Sequence, residues 1–238
     1  MPDEIFSVSL VTPTYNEKEN IRILAEKICS VIKKHGNIDL ELIVVDDNSP
    51  DGTGQEAEIL KEFFPVKVIH RCSKSGLGSA VWEGFQISNR PLLGVIDADL
   101  SHDPDLIPQL IFALKTHDIA VGCRYDSNSH LENWPWYRKI LSRTGIFFTR
   151  KLTRIKDPLS GFFFLHRHVI QNMTLTSPGY KILLEILVKG KYSKVEEIPF
   201  IFRNRIHNVS KLSFWEYYLF LKQLILFGLK KFARSAKK

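Results

Sequence analysis

The first half of the chain alternates between short apolar runs and segments in which apolar residues recur every three or four positions. Apolar runs of about four to eight residues bounded by turn residues are typical of buried strands, and longer periodic segments are typical of amphipathic helices. The predicted strands are Ser7–Thr12, Leu40–Val45, Val66–His70, Leu92–Ile96 and Ile119–Gly122. The predicted helices run from Asn16 to about Lys34, over Glu56–Phe64, from the Ser75–Gly78 turn to Ser88, and from Pro104 to about Leu114. This alternation predicts an α/β fold with parallel strand pairing.

The second half is less regular, and no change of composition separates it from the first half. We predict a helix over Trp136–Leu152, a strand over Gly161–Leu165 and a short apolar helix over Ile182–Val188. The segment Val195–Phe202 has the pattern of a strand interrupted by Pro199, which predicts an edge position because proline has no N–H to donate.

Composition limits the function without fixing it. The 238 residues carry a formal net charge of +7, which indicates an anionic partner such as a phosphorylated substrate or a membrane surface. The three cysteines are scattered without metal-binding spacing, which is typical of a reducing compartment. Aromatic residues do not interleave with one basic strand surface, so nucleic-acid binding is not expected. Lys222 and Gln223 interrupt the longest apolar stretch, so no membrane-spanning segment is predicted.

The acidic pair Asp97 and Asp99 directly follows the fourth predicted strand. Open α/β sheets bind ligands beyond the carboxyl ends of their strands, and carboxylates can hold Mg²⁺ against substrate phosphates. The pattern therefore predicts a metal and diphosphate site. The alternative is an acidic turn in which Asp103 caps the helix that follows Pro104.

Further polar residues follow the neighbouring strands. After the first strand come Tyr15 and Glu17, for which the structural alternative is a helix start with an Asn16–Glu19 capping box. After the second strand comes Asp46-Asp47, which either binds a base or ribose or forms an Asx turn. Because no basic residue is adjacent in sequence, these acids suggest an external donor. Arg124 follows the fifth strand and suits phosphate contact, the alternative being an ion pair.

Aromatic and basic residues dominate three later segments. Trp134–Arg138 combines large aromatic side chains with a cation, as at a membrane interface. The basic residues from Arg203 to Lys211 could close over a diphosphate or form a solvated loop. Phe214–Phe232 is apolar with a narrow polar stripe and is followed by lysines, which predicts a helix lying in a membrane surface or packed onto a protein.

Four segments in this order carry a family resemblance: Pro-Thr-Tyr-Asn-Glu, Val-Val-Asp-Asp-Asn-Ser-Pro-Asp-Gly-Thr, Asp-Ala-Asp-Leu-Ser-His and Asp-Pro-Leu-Ser-Gly-Phe-Phe. Together they resemble the inverting polyprenyl-phosphate glycosyltransferases, over about Phe6 to Lys211. The resemblance implies a GT-A fold, an α/β mixed sheet flanked by helices, over residues 1–211. The apolar and basic pattern beyond it predicts an interfacial amphipathic helix over residues 212–238. The resemblance further implies mannose transfer from GDP-mannose to dolichyl or other polyprenyl phosphate, with Mg²⁺ or Mn²⁺.

The resemblance also assigns roles to residues at matching positions. It implies that the nucleotide is bound by Pro13, Tyr15, Glu17, Val45 and Asp47. It implies that the donor and metal are bound by Asp97, Ala98 and Asp99, with Ser101 at a position where some relatives have a glutamine ligand. Phosphate and sugar contacts are expected from Arg124, Lys181, Arg205 and Lys211, and the acceptor phosphate contact from Arg138. The candidate catalytic residues are Asp99, Arg124 and Arg138, and the candidate metal ligands are Asp97, Asp99 and Ser101.

The predicted reaction is a single displacement by an acceptor phosphate, which is largely ionised at neutral pH and needs no general base. Relatives that glycosylate hydroxyls place a Glu-Asp pair in the second half, whereas here only Glu185 lies in the comparable region. The alternatives are the same fold using UDP-glucose, another sugar or a hydroxyl acceptor, and a non-catalytic nucleotide- or lipid-binding module. We expect a peripheral protein on the cytoplasmic face of a membrane, held there by Phe214–Phe232 or by an anchoring subunit.

Overall fold

The computed structural model describes residues 5–124, 149–150, 152–153, 155–175 and 181–202. The strands in these ranges are β1 (Phe6–Thr14), β2 (Ile38–Asp46), β3 (Val66–His70), β4 (Leu92–Val95), β5 (Ile119–Cys123), β6 (Phe163–His166) and β7 (Val195–Pro199). The helices are α1 (Lys18–Ile32), α2 (Thr53–Leu60), α3 (Leu77–Ile87), α4 (Ile107–Ala113) and α5 (Ile182–Lys189). Short 3-10 segments, Pro104–Leu106 and Arg167–Ile170, precede α4 and follow β6.

The strands form one mixed sheet in the order β3-β2-β1-β4-β6-β5-β7. The pairs β1–β2, β2–β3, β1–β4 and β5–β7 are parallel, which confirms the pairing predicted for the first four strands. Strand β6 runs antiparallel to both of its neighbours, β4 and β5. Strand β7 ends the sheet, as its proline predicted.

The sheet is buried on both faces, which explains why its strands are nearly continuous apolar runs. One face packs against α1, α2 and α4 through residues such as Leu10, Val44 and Phe164. The other face packs against α3 and α5 through the neighbouring residues Val11, Val45 and Phe163. Successive residues of a strand therefore enter opposite cores.

The antiparallel strand β6 fits beside β4 because one position in β4 has no side chain. Gly94 lies directly opposite Phe164 in the register of the two strands. A Cβ atom at Gly94 would lie 2.3 Å from the Phe164 ring, which is closer than any real contact. The glycine therefore lets the aromatic side chain cover the β4 backbone and extend the core to β6.

Two predicted segments fall mainly or wholly outside the described residues. They are the helix over Trp136–Leu152 and the interfacial helix over Phe214–Phe232, and both stay predictions. In the described part of the chain, no helix has the length and apolar character needed to cross a bilayer.

A buried polar cluster ties β1 to β2 near the middle of both strands. The Ser9 hydroxyl donates to Glu41 Oε1 at 2.6 Å, and Lys67 Nζ lies 2.9 Å from Glu41 Oε2. Arg90 Nε lies 3.4 Å from Glu41 Oε1. Burial raises the pKa of Glu41, but the Ser9 hydrogen bond and the charges of Lys67 and Arg90 outweigh it, so the net pKa is lowered.

Replacing this carboxylate should destabilise the sheet. In Glu41→Gln the two cations lose their shared buried counter-charge, so we expect the free energy of unfolding to fall by about 2–3 kcal/mol. Asp39→Asn is the matched control, because Asp39 pairs with the same Arg90 at 2.9 Å but its side chain is 56% exposed. We expect that control to change the free energy by less than about 1 kcal/mol in urea unfolding at pH 7.

The pH dependence of stability, compared between the parent protein and Glu41→Gln, tests whether Glu41 acts through its charge. Because the folded-state pKa of Glu41 is lowered, its stabilising contribution is present above the unfolded value of 4.5 and disappears as pH falls through the folded value. The difference in stability between the parent protein and Glu41→Gln should therefore shrink below pH 4.5. A difference that stays constant between pH 7 and pH 3 would show that the glutamate does not act through its charge.

Candidate active site

The predicted nucleotide-binding residues lie together at one edge of the sheet, where β1 and β2 end. Pro13 is the register partner of Val45, and Thr14 that of Asp46. Tyr15 and Glu17 follow β1 directly, and Asp47 N donates to Thr14 O at 2.9 Å. The end of β4 joins the same edge, since Ile96 N donates to Val11 O at 3.1 Å. Parallel pairing thus places the residues after β1, β2 and β4 side by side.

Each of these three strand ends is followed by a residue with an unusual backbone conformation. Asn16, Asn48 and Leu100 have φ values of 57°, 59° and 61°, and no other described residue except glycine has a positive φ. Asparagine tolerates this left-handed region, whereas a leucine there costs about 1–3 kcal/mol. Leu100 lies between Asp99 and Ser101, so the strained turn belongs to the acidic segment.

The loop after β1 is fixed by the loop after β2, and the predicted Asn16–Glu19 capping box is wrong. Helix α1 begins at Lys18 with Glu17 as N-cap and no capping bond from a side chain of its own turn. Asn16 N donates to Ser49 Oγ at 3.0 Å, and Glu17 N donates to Thr53 Oγ1 at 2.9 Å. The acceptors come from distant sequence positions, so a local motif could not reveal them.

The aromatic ring of Tyr15 faces the loop that follows β3. Lys74 Nζ lies 3.9 Å from the centroid of the Tyr15 ring, a cation–π contact between two side chains of the candidate site. Tyr15 is half-buried and Lys74 is exposed. A planar base approaching this face of the ring would have to displace or stack beside the lysine.

The two aspartates at the end of β2, Asp46 and Asp47, make different contacts. Asp46 forms the Asx turn that its sequence allowed, because its carboxylate accepts hydrogen bonds from Ser49 N at 3.0 Å and Ser49 Oγ at 2.5 Å. Thr14 Oγ1 also donates to Asp46 Oδ1, at 3.1 Å. The Asp46 side chain therefore ties the ends of β1 and β2 together.

Asp47 has a basic partner within the chain. This corrects the inference that Asp46 and Asp47 need a donor from outside it. Arg71 Nη1 lies 2.8 Å from Asp47 Oδ1, and both side chains are largely buried. The backbone N–H groups of Ser75 and Gly76 donate to the same carboxylate at 2.9 and 3.0 Å. Arg71 comes 24 residues later, beyond β3, so inspection of adjacent residues missed it. The nucleotide contact of Asp47 stays a prediction.

Asp99 and Ser101 form a compact unit in the turn after β4. Asp99 is 4% exposed, and its Oδ1 accepts hydrogen bonds from Ser101 N at 3.1 Å and Ser101 Oγ at 2.6 Å. The serine hydroxyl thus orients the Asp99 carboxylate; direct ligation of a metal by Ser101 stays a prediction. Ala98 is buried between the two aspartates. Asp103 caps the following 3-10 segment by accepting from Asp105 N, as its position predicted.

Asp97 lies at the junction of β4 with the loop that enters β6. A Cβ atom at Gly161 would lie 2.9 Å from Asp97 Oδ2, so any other residue at 161 would press on the carboxylate. The Asp97 N–H donates to His102 Nδ1 at 3.2 Å, and His102 Nε2 lies 3.9 Å from Asp97 Oδ2. The Asp97 side chain is 27% exposed, so it is accessible to a ligand.

His102 is enclosed by three aromatic rings. It stacks on Phe162 with centroids 5.1 Å apart, and Phe200 and Phe202 contact it edge-on. Burial lowers the pKa of His102 to about 4, with further effects from the charges of Asp99, Arg124, Asp157 and Lys181. The imidazole is therefore neutral at pH 7.

Arg124 is held by a buried bidentate ion pair. Its Nε and Nη2 lie 2.8 and 2.9 Å from the Asp157 oxygens, and its backbone N–H donates to Asp157 Oδ2 at 3.1 Å. Asp157 is fully buried, and Arg124 is 9% exposed. Glu197 of β7 in turn accepts hydrogen bonds from Lys156 N and Asp157 N, both at 2.9 Å. The ion pair foreseen as an alternative for Arg124 thus exists, but in the interior rather than on the surface.

Two further predicted groups lie near α5. Lys181 precedes the helix and donates to Leu159 O at 3.4 Å, which brings it to the loop that contains Asp157. Glu185 is fully buried within α5 and forms an ion pair with Lys189 one turn later. Glu185 is the residue that left a hydroxyl acceptor possible in the sequence analysis, and its carboxylate is paired with the Lys189 ammonium group.

The structure gathers most of the predicted site. At the β1 and β2 ends lie Pro13, Tyr15, Glu17, Val45 and Asp47, and in the turn after β4 lie Asp97, Ala98, Asp99 and Ser101. Arg124 and Lys181 both contact the loop over residues 157–159. Arg138, Arg205 and Lys211 lie outside the described residues. Sequence reasoning gave no role to Arg71, His102, Asp157 and Glu197; His102 and Asp157 stood within quoted motifs, whereas nothing local marked the other two.

The acidic pair suits a divalent cation that is shared with a phosphate ligand. Within the described ranges no group of three or more His, Cys, Asp or Glu residues could form a metal site from protein ligands alone. Mg²⁺ commonly takes one or two carboxylates and completes its octahedron with phosphate oxygens and water. The accessible Asp97 carboxylate, for which Gly161 leaves room, and the oriented Asp99 carboxylate supply that donor set.

The sequence matches the profile of Glycosyl transferase family 2 over residues 9–174, and the chain belongs to this family of glycosyltransferases. Dolichol-phosphate mannosyltransferase of Pyrococcus furiosus is 47% identical over 210 residues, which cover 86% of this chain and 59% of the relative. The chain thus spans less than two thirds of that protein. Dolichol-phosphate mannosyltransferase of Saccharomyces cerevisiae is 36% identical over 232 residues, covering 92% of this chain and 87% of the yeast protein.

Solved structures of lower identity share the fold. Glucosyl-3-phosphoglycerate synthase of Mycobacterium tuberculosis, crystallised with Mn²⁺, UDP and glucosyl-3-phosphoglycerate, superimposes with a TM-score of 0.68 at 20% identity, covering 94% of this chain and 79% of that one. Mannosyl-3-phosphoglycerate synthase of Rubrobacter xylanophilus gives a TM-score of 0.62 at 18% identity, covering 96% and 75%. These similarities confirm the mixed α/β fold of the GT-A type.

Breaking the buried Arg124–Asp157 ion pair should lower the free energy of unfolding far more than breaking an exposed ion pair. In Asp157→Asn the Arg124 guanidinium keeps its charge without its counter-charge, so we expect the free energy of unfolding to fall by about 3–5 kcal/mol. Glu56→Gln is the control, because its partner Arg22 is 43% exposed, and it should change the free energy by less than about 1 kcal/mol. Equal losses for the two variants in urea unfolding would contradict a structural role for the buried pair.

Proposed function

We propose that the chain transfers mannose from GDP-mannose to dolichyl or another polyprenyl phosphate, with inversion and with Mg²⁺ or Mn²⁺. One observation carries the proposal: this chain, which is 47% identical to a dolichol-phosphate mannosyltransferase, has the acidic pair and Arg124 at the same edge of the sheet, where β4 and β5 end. The nucleotide would bind beside them, at Pro13, Tyr15, Glu17, Val45 and Asp47.

The residues of the site suit a departing diphosphate. Asp97 and Asp99 would hold the divalent cation, which when bound supplies a Lewis acid that withdraws charge from the leaving group. Arg124 is fixed in orientation by Asp157, so it can meet a phosphate without first being ordered. Lys181 adds a second cation from the amino end of α5. Arg205 and Lys211 would complete the phosphate contacts, and Arg138 would bind the acceptor.

A phosphate acceptor agrees with the state of Glu185. A phosphate monoester has a second pKa of about 6, so its oxygen attacks without transferring a proton to the protein. A hydroxyl acceptor would need a base, and the Glu185 carboxylate is buried and paired with Lys189. This favours the phosphate acceptor over the hydroxyl alternative.

The lipid acceptor requires contact with a membrane. We propose peripheral attachment on the cytoplasmic face, through the basic and apolar residues 212–238 as a separate interfacial segment or through an anchoring subunit. The net charge of +7 agrees with attraction to an anionic surface.

The direct test is a transfer assay with the full chain. Radiolabelled GDP-mannose, dolichyl phosphate in detergent micelles and Mn²⁺ should give label that extracts into organic solvent, together with GDP. Label transferred from UDP-glucose instead would overturn the donor, and transfer to a hydroxyl lipid would overturn the acceptor. Binding of GDP-mannose without turnover would indicate a non-catalytic module.

The acidic pair should be essential for turnover and dispensable for folding. Asp99→Asn keeps an oxygen that accepts from Ser101 but removes the charge, so we expect transfer to fall at least about 100-fold with little change in Tm. Asp103→Asn is the matched control, because Asp103 caps the following segment and asparagine caps equally well. The proposed role of Asp99 would be contradicted if both variants retained full transfer.

A further inference from the structure

His102 contacts the backbone of Asp97 and lies close to its side chain. Its Nδ1 accepts a hydrogen bond from Asp97 N at 3.2 Å, while its Nε2 lies 3.9 Å from Asp97 Oδ2. Because Nδ1 is the acceptor, the proton of the neutral ring is on Nε2. At 3.9 Å the Nε2 atom is beyond hydrogen-bond distance from the carboxylate, so it is the hydrogen bond at Nδ1 that links the ring to Asp97.

The imidazole is itself held rigidly. Its side chain is 2% exposed and stacks on Phe162 with an interplanar angle of 14°, while Phe200 and Phe202 approach it edge-on at 5.7 and 5.8 Å. Phe162 directly follows Gly161, the residue that leaves room for the Asp97 carboxylate. The ring thus connects the turn after β4 with the entrance to β6 and the end of β7.

The corresponding support for Asp99 is local, since Ser101 donates to it through both its N–H and its hydroxyl. Asp97 is the more exposed of the two aspartates. A neutral aromatic ring can hold the Asp97 backbone without adding a positive charge that would compete with a cation.

We propose that His102 is the positioning residue for Asp97: its Nδ1 accepts the Asp97 N–H and so fixes the backbone from which the Asp97 carboxylate meets a divalent cation. The inference rests on the proposed function, in which Asp97 and Asp99 hold that cation. His102 itself touches neither the sugar nucleotide nor the metal.

The competing explanation is that His102 only fills the aromatic enclosure. Two substitutions separate the explanations, because they keep opposite features of the side chain. His102→Asn places a carbonyl oxygen where Nδ1 lies, and so keeps the acceptor for Asp97 N while losing the ring. His102→Phe keeps a ring for Phe162 to stack on but has no acceptor.

Mn²⁺ binding in the presence of GDP is the readout, followed by the loss of the free Mn²⁺ signal in electron paramagnetic resonance. Supports of metal ligands typically contribute 10–100-fold in affinity. We expect His102→Phe to bind Mn²⁺ at least about 10-fold more weakly than the parent protein, and His102→Asn to stay within about threefold of it. We expect the opposite order for thermal stability: His102→Asn should have the lower Tm of the two variants, because it loses the stacked ring. Titrations are run well below the lower Tm.

Each other result overturns the inference. Parental affinity in His102→Phe would show that the acceptor does not matter, and equal weakening in both variants would show that packing alone acts. If the parent protein binds GDP but no Mn²⁺, the inference fails together with the metal of the proposed function. The first two results leave the proposed function standing, so the two failures are distinguishable.

Discussion

The site depends on supplying hydrogen-bond donors to buried carboxylates at one edge of the sheet. Asp46, Asp47, Asp99 and Asp157 are each at most 5% exposed, and such groups are tolerated only when donors replace the lost water. The donors come from neighbouring loops: Ser49 and Thr14, Arg71 with Ser75 and Gly76, Ser101, and Arg124. Satisfying these groups therefore ties the loops together, and a structural requirement also orders the site.

The sequence predicts the strands and helices of the described residues well, because two-sided burial leaves long apolar runs between turn residues. It also places the acidic pair at the ligand-binding edge, since that follows from strand order along the chain. What it misses is contact between distant loops. Three contacts join positions about 24–41 residues apart: Ser49 and Thr53 with the loop before α1, Arg71 with Asp47, and Glu197 with the backbone of residues 156–157.

The residues proposed to take part in the transfer are of two kinds: buried groups with a fixed orientation and partly exposed groups. Arg124, Asp99 and His102 are buried and oriented by their partners, whereas Asp97 and Tyr15 remain partly exposed beside them. Such preorganisation costs nothing at the moment of reaction, because the dipoles and charges need not turn to meet the leaving group. A dianionic lipid phosphate brings its own nucleophile, so the protein needs to manage only the departing charge.

The central claim is that the carboxylates of Asp97 and Asp99 grip a cation together with the donor diphosphate. Anomalous diffraction from crystals grown with Mn²⁺ and GDP-mannose measures this directly. The account predicts one manganese peak bridging the two carboxylates and the diphosphate, with the guanosine over the ends of β1 and β2. A peak elsewhere, or a nucleotide bound away from this edge, would contradict it.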